Sequence, residues 1–240
     1  MSVEKQIEEE FLSIPLRPRT MFFYSARTAI LESVKQESRL FYGTVLDVGC
    51  GFMPYKKIIE ANPKVEKYVG MDLEKPTYYN QIEPDLKWNG RDIPLEDESM
   101  DCVMATEFLE HYAEPENALN EIRRVLKPGG RLFATVPFIW NLHEVPYDEY
   151  RYTPYSIERH FRNAGFGEIK IKALGGWNLS FAQMIGLWVT FSKMSRFTRA
   201  VAKKLLFPFY VWLVKTDRKP SGFDGWDNSM FTGLSITARK

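Results

Sequence analysis

Cysteine is scarce in this chain, and several function classes fall away on what is missing. Two cysteines in 240 residues, Cys50 and Cys102, cannot staple a disulfide-rich secreted domain, and both read as small buried thiols. Three histidines, with no Cys/His cluster at ligand spacing, give no metal centre to predict. An excess of one charge sign is also missing. The 32 basic and 31 acidic side chains leave a net +1, so no global basic field argues for nucleic acid. No uninterrupted apolar run reaches the roughly eighteen residues of a spanning helix. The N-terminus carries Glu4, Lys5, Glu8, Glu9 and Glu10 where a signal peptide would be apolar, so a cytoplasmic chain is expected. With 45% hydrophobic residues the chain can build one large domain with additions.

What is present is concentrated in one run, Val45-Leu46-Asp47-Val48-Gly49-Cys50-Gly51. Its aliphatic residues suit a buried parallel strand, and its glycines let the backbone bend and approach a ligand without a Cβ in the way. A second strand, Tyr68-Val69-Gly70-Met71-Asp72, also ends on an acid. That pairing places a nucleoside-type cofactor at the strand ends, its ribose hydroxyls on Asp72. A dinucleotide fingerprint carries a third glycine at the helix start, and Pro54 stands there instead. A nicotinamide-dependent oxidoreductase is therefore the weaker alternative.

Residues 1–40 read as one or two helices, with Met21, Phe22, Ala26, Ile30 and Val34 near helical spacing. Strand and helix then alternate over 44–48, 54–61, 66–71, 100–105, 115–126, 131–136, 153–164 and 168–174. The alternation implies a parallel sheet with helices on both faces. Lys127-Pro128-Gly129-Gly130 reads as a helix stop followed by a strand start.

Further motifs follow in order: Asp92-Ile93-Pro94-Leu95, Glu107-Phe108-Leu109-Glu110-His111, and Leu126-Lys127-Pro128-Gly129-Gly130 running into Arg131-Leu132-Phe133-Ala134-Thr135-Val136-Pro137. As a set they resemble the successive motifs of the class I S-adenosylmethionine-dependent methyltransferases over residues 41–173, returning in the last strand. The resemblance implies an α/β fold, a doubly wound, Rossmann-like, mostly parallel seven-stranded sheet with helices on both faces. It divides the chain into an N-terminal helical cap (1–40), a cofactor-binding core (41–174), a helical insert (175–230) and the last strand of the core (231–240).

The resemblance also implies roles. Asp47, Gly49, Cys50 and Gly51 would hold the amino acid end of S-adenosylmethionine. Asp72, with Leu73 after it, would accept the ribose hydroxyls through charge-assisted bonds. Asp92 and the backbone at Ile93 would clamp the adenine, and Glu107 would lie near the sulfonium. An acceptor that is a poor nucleophile also needs a base.

The loop after Pro137 is the place to look for that base, since ligands bind beyond the carboxyl ends of parallel strands. It contains His143, Glu144, Pro146-Tyr147-Asp148 and Arg151-Tyr152-Thr153, a pattern that resembles a bacterial methyltransferase subgroup associated with surface-glycan and other secondary biosynthesis. His143 is the candidate general base and Asp148 its orienting partner; bracing of the loop by His143 and Arg151 is the alternative. His111 is expected to pack behind the cofactor, and His160 has no partner in view. No Asn-Pro-Pro-aromatic or Asp-Pro-Pro-aromatic tetrapeptide follows the fourth strand, so a nucleic acid acceptor is not expected. The acceptor would be a small molecule, a glycan or a lipid-linked molecule, methylated on oxygen or nitrogen. A non-catalytic methyltransferase-like binding module is the other alternative.

Between the strands at 169–174 and 233–238 lies the insert. Its aromatic and aliphatic residues are followed by a basic run, Lys193 to Lys219, against a single acid, Asp217. Three readings stay open for residues 178–219: a lid on the acceptor pocket, peripheral membrane contact, or a dimer interface.

Overall fold

The structure is a computed structural model that describes residues 2–73, 82–220 and 226–240. Among these, seven strands form one sheet: β1 (Gly43–Val48), β2 (Val65–Leu73), β3 (Leu86–Trp88), β4 (Met100–Thr106), β5 (Leu126–Pro137), β6 (Gly167–Leu174) and β7 (Gly233–Arg239). Their order is β3-β2-β1-β4-β5-β7-β6. Every pairing is parallel except those of β7, which runs antiparallel to both β5 and β6. The winding reverses between β1 and β4, and a crevice opens at the carboxyl ends of strands at such a point.

Seven α-helices accompany the described strands: α1 (Val3–Ile7), α2 (Met21–Glu37), α3 (Lys56–Glu60), α4 (Pro115–Val125), α5 (Pro154–Asn163), α6 (Trp177–Phe191) and α7 (Arg196–Thr216). The period-two alternation of the strands divides the interior into two cores. Val45, Cys102, Met104 and Phe133 face one side and pack against Ala29, Ile30 and Val34 of α2. Leu46, Val48, Val103, Leu132 and Ala134 face the other, against Leu119 and Ile122 of α4 and Ile157 and Phe161 of α5. Helix α5 begins where a Thr153–Ser156 capping box meets Pro154 at the first helical position.

Two sequence expectations shift. Helix α3 is shorter than 54–61, because the chain still turns at Met53 (φ 51°) before it can coil. The 127–130 segment is an interruption within β5 and not a connection before it: Leu126 pairs with Met100, and pairing resumes at Arg131 opposite Cys102. Strand β3 had no counterpart in the sequence reading, since Leu86-Lys87-Trp88 is too short to show a period.

A third cluster joins α2 to the insert: Met21, Ala182, Ile185, Val189, Tyr210 and Leu213. Gly186 permits the contact, as a Cβ there would lie 2.1 Å from the Met21 carbonyl oxygen. The Tyr210 hydroxyl donates to the same carbonyl (3.0 Å) and pairs with Ser25 Oγ (2.8 Å). At the base of the α6–α7 hairpin, Asp217 accepts from the backbone N–H of Gly176 (2.9 Å) and of Leu179 (2.8 Å). None of the described helices is long and apolar enough to cross a membrane.

Candidate active site

Strand β1 ends in a turn that only glycine builds easily. Gly49 (φ 70°) and Gly51 (φ 50°) both take left-handed conformations, and a Cβ on Gly49 would sit 2.8 Å from the Phe108 ring. The N–H groups of Gly49 and Cys50 donate to the Met71 carbonyl, at 2.9 and 3.1 Å, which pins the turn to β2. From β2 Asp72 answers: its Oδ2 accepts from the Gly51 N–H (2.8 Å) and its Oδ1 from the Leu73 N–H (2.7 Å). The two motifs thus meet at one spot, and no described residue fills the space where a Gly51 side chain would be.

Asp47 lies deeper, at 1% exposure. Its Oδ2 accepts from the Tyr68 hydroxyl at 2.5 Å, while its Oδ1 is buried without a partner among the described residues. Burial pushes its carboxyl up to about 7, Tyr68 opposes the shift and the nearby Asp72 charge adds to it. An orphaned buried carboxylate oxygen beside an open glycine cradle fits a ligand that brings a cationic donor and a polyhydroxylated ring.

The expected adenine clamp is more occupied. The Ile93 N–H donates to Glu121 Oε2 (2.8 Å), and its carbonyl accepts from Arg124 Nη2 (2.8 Å). Arg124 also binds Glu121, Asp97 and the Leu95 carbonyl, so α4 fixes the 93–97 loop. The backbone N–H of Asp92 donates to Asn89 Oδ1 (3.1 Å), and its side chain is exposed. Close by, Trp88 stacks on Tyr112, centroids 5.6 Å apart, and both contact Phe108.

Past β4 a group of ionisable side chains gathers. Glu107 adopts φ 51° and accepts from Thr135 Oγ1 at 2.9 Å. Burial raises its carboxyl to about 7 against the lowering influence of Thr135, Arg27 and Arg151. Glu110 is fully buried with neither carboxylate oxygen hydrogen-bonded, so burial, reinforced by Glu107, raises it well above the usual range.

The loop after β5 meets this group. The His111 and His143 rings stand edge to face, 4.6 Å apart. His143 Nδ1 lies 3.2 Å from Asp148 Oδ2, which also accepts from the His143 backbone N–H. Arg151 grips the same carboxylate with two bonds of 2.7 and 2.8 Å. Burial opposes the Asp148 charge, yet Arg151 and His143 hold its carboxyl down at about 2. The His143 imidazole is lowered by burial and by His111, with Asp148 only partly opposing, which favours its neutral, proton-accepting form.

All the sequence-derived site residues, Asp47, Gly49, Cys50, Gly51, Asp72, Leu73, Asp92, Ile93, Glu107, His143 and Asp148, thus lie at or beyond the carboxyl ends of β1, β2, β4 and β5 or, for Asp92 and Ile93, beyond β3. Cys50 is buried, and its thiol is raised by burial and by the surrounding acids, which leaves it inert. His111 packs against His143, and His160 has a partner after all, Glu116 at 2.7 Å. Sequence reading missed Tyr68, Thr135 and Glu110 as participants, and had Arg151 only as a brace of the loop. Glu110, His111 and His143 also bring one ligand atom each within 4.8 Å of one another, a grouping no linear spacing announced and one that could hold a cation.

Comparison with known proteins points to the same fold. Residues 46–134 match the methyltransferase domain family. A thiol S-methyltransferase of Rattus norvegicus is 34% identical over 100 residues, covering 38% of this chain and 41% of its own. The chain spans less than half the length of the curated relatives it matches first. Among solved structures, a SAM-dependent methyltransferase from Archaeoglobus fulgidus aligns over 99% of both chains with TM-score 0.57 and 16% identity. The [4+2]-cyclase SpnF aligns over 90% of this chain and 82% of its own, with TM-score 0.54 and 21% identity. At these identities the structural likeness speaks for the fold alone.

Proposed function

We propose that the chain, whose residues 46–134 match the methyltransferase domain family, methylates an oxygen or nitrogen of a small-molecule or glycan acceptor with S-adenosylmethionine as donor. The observation that carries this reading is the joined cradle, Gly51 bonded to Asp72 above the orphaned Asp47 oxygen. Asp72 would hold the ribose hydroxyls, and Asp47 would face the ammonium of the amino acid end. S-adenosylmethionine, when bound, supplies an activated methyl group on a sulfonium.

The remaining work falls to the chain. A walled crevice that holds two reactants in near-attack geometry contributes roughly 7–11 kcal/mol. His143 would take the acceptor's proton on its free ring nitrogen, with Asp148 fixing the tautomer through Nδ1 and Arg151 fixing Asp148. A hydroxyl acceptor needs that base. A thiol, the acceptor class of the Rattus norvegicus relative, ionises with far less help.

Incubation with methyl-labelled S-adenosylmethionine and extract of the source cells tests the reading, together with calorimetric binding of S-adenosylhomocysteine. Label transferred to a small product supports it. A chain that binds neither form of the cofactor is a methyltransferase-like module without the activity, or a catalyst of another reaction as in SpnF.

A further inference from the structure

Among the described residues, the α6–α7 hairpin leaves one face of each helix largely exposed. On α6, Trp177, Phe181, Met184, Trp188 and Phe191 recur at spacings of four and three, each more than half exposed. On α7, Phe197, Val201, Leu205, Phe209 and Trp212 form a second stripe, exposed by 40 to 79%. The stripes meet where Phe181 touches Phe209 edge-on at 6.0 Å, and Phe209 stacks on Trp212 at 5.6 Å. The opposite face of α6, with Ala182, Ile185 and Val189, already packs in the cluster that holds the hairpin to α2. Phe191 still meets Phe22 edge-on at 5.4 Å and Trp177 donates to the Asn228 carbonyl at 2.7 Å, but about half or more of each ring in the α6 stripe stays exposed. Singly scattered apolar residues need no explanation, but a contiguous patch of this kind marks an interaction surface.

Charge says which surface it fits. From Lys193 to Lys219 basic residues outnumber acids eight to one, and the lone acid, Asp217, is turned inward to cap the base of the hairpin. Of the eight, Lys219 alone forms an ion pair among the described residues, to Glu32 at 3.5 Å. Lys204 and Lys215 fall in the same helical sector as the α7 stripe, so long aliphatic stems lie beside the aromatics with their ammonium groups at the rim. A second copy of the chain is a poor occupant, since a two-fold contact would set these cations against one another. Neither helix is apolar enough to span a bilayer.

We propose that the α6–α7 hairpin is an interfacial element that lays its aromatic face into an anionic membrane, with the basic rim at the headgroups. Strand β6 runs parallel to β1 and β4, so α6 starts at the carboxyl edge of the sheet, the edge that carries Gly49, Asp72 and Glu107. Docking by the hairpin would bring that edge close to the bilayer. The inference stands apart from the methyl-transfer reading, because it concerns a surface on which no cofactor residue lies.

The test is flotation of the full chain with phosphatidylcholine vesicles, with and without phosphatidylglycerol, at low salt. The chain should float only with the anionic vesicles and be released as salt rises. Arg196→Glu/Lys204→Glu should lower partitioning about tenfold or more. Trp188→Ser/Leu205→Ser/Trp212→Ser should abolish it, while melting temperature and S-adenosylhomocysteine binding stay unchanged and report an intact fold. No flotation of the parent chain with anionic vesicles overturns the proposal. So does flotation that survives the triple substitution, or a dimer that the triple substitution dissociates in a chain that ignores vesicles.

Discussion

The Gly51 N–H donates to Asp72 Oδ2 across 2.8 Å, which closes the gap between the turn after β1 and the end of β2. The contact fixes the carboxylate of Asp72 against the turn. Asp72→Ala removes the tether of the turn and, on the proposed reading, the acceptor of ribose hydroxyls. Hydrogen bonds to a charged group contribute about 1.5–3 kcal/mol, so affinity for S-adenosylhomocysteine should fall at least about tenfold by calorimetry. Unchanged affinity would remove Asp72 from the cofactor site.

Glu107 gives a pH signature to the cofactor-free chain. Its carboxyl is raised from 4.5 to about 7 in the folded state, so the native protein holds a proton that the unfolded chain releases. Stability therefore falls as pH rises from about 4.5 to about 7, and the full penalty is present above that window. The shift bounds the cost at about 3 kcal/mol, and partial exposure brings it to about 1–2 kcal/mol. Glu107→Gln keeps an acceptor for Thr135 and has no proton to lose. Calorimetry should find its melting temperature about 2–6 °C above the parent at about pH 8 and equal to it at about pH 4.

His143 and Asp148 predict the acidic limb of the rate profile. Burial lowers the His143 imidazole below its ordinary 6.5, so turnover of a hydroxyl acceptor should be half-maximal below that pH and flat above it. Asp148→Asn removes the charge that opposes this lowering, and the limb should move further down. The rate itself should drop about tenfold or more, because the ring loses its orienting partner. His143→Ala should cost about 10²-fold in kcat with cofactor affinity unchanged. Near-normal turnover in that variant would make the loop a brace and not a catalyst.

Local signals carried most of this architecture. Val45 to Gly51 announces a buried strand and its turn through residue type alone, and the 3.6-residue spacing of Ala118, Ile122 and Val125 does the same for α4. Leu86-Lys87-Trp88 could not announce itself, because three residues are shorter than any period they might show. In the site, the acids at strand ends were legible and their partners were not. Arg124 reaches the Ile93 loop from α4, and Glu110 is buried beneath a loop some forty residues later in the chain, contacts that only the assembled sheet creates. Thr135 is a middle case: parallel pairing sets it opposite Thr106, beside Glu107, which follows once the register is known.

Tyr68 is also legible only through register, and it yields the sharpest stability test. Parallel pairing sets Tyr68 opposite Val45, and alternation puts Asp47 on the same face, where the phenol donates to it at 2.5 Å. That bond holds down a carboxyl that burial nonetheless lifts to about 7. Tyr68→Phe keeps the ring in its core and deletes only the donor, so Asp47 rises further. A carboxyl raised above its unfolded value loses stability as pH climbs through the folded pKa, and the substitution carries that loss to higher pH. The variant should therefore be nearly as stable as the parent at pH 5 and weaker by about 1–3 kcal/mol at pH 8 in denaturant unfolding. Saturating S-adenosylmethionine should narrow the gap at pH 8, because a cationic donor at Asp47 Oδ1 replaces part of what the phenol supplied. An equal deficit at both pH values would show that the Asp47 charge plays no part and that the lost hydroxyl matters only to packing.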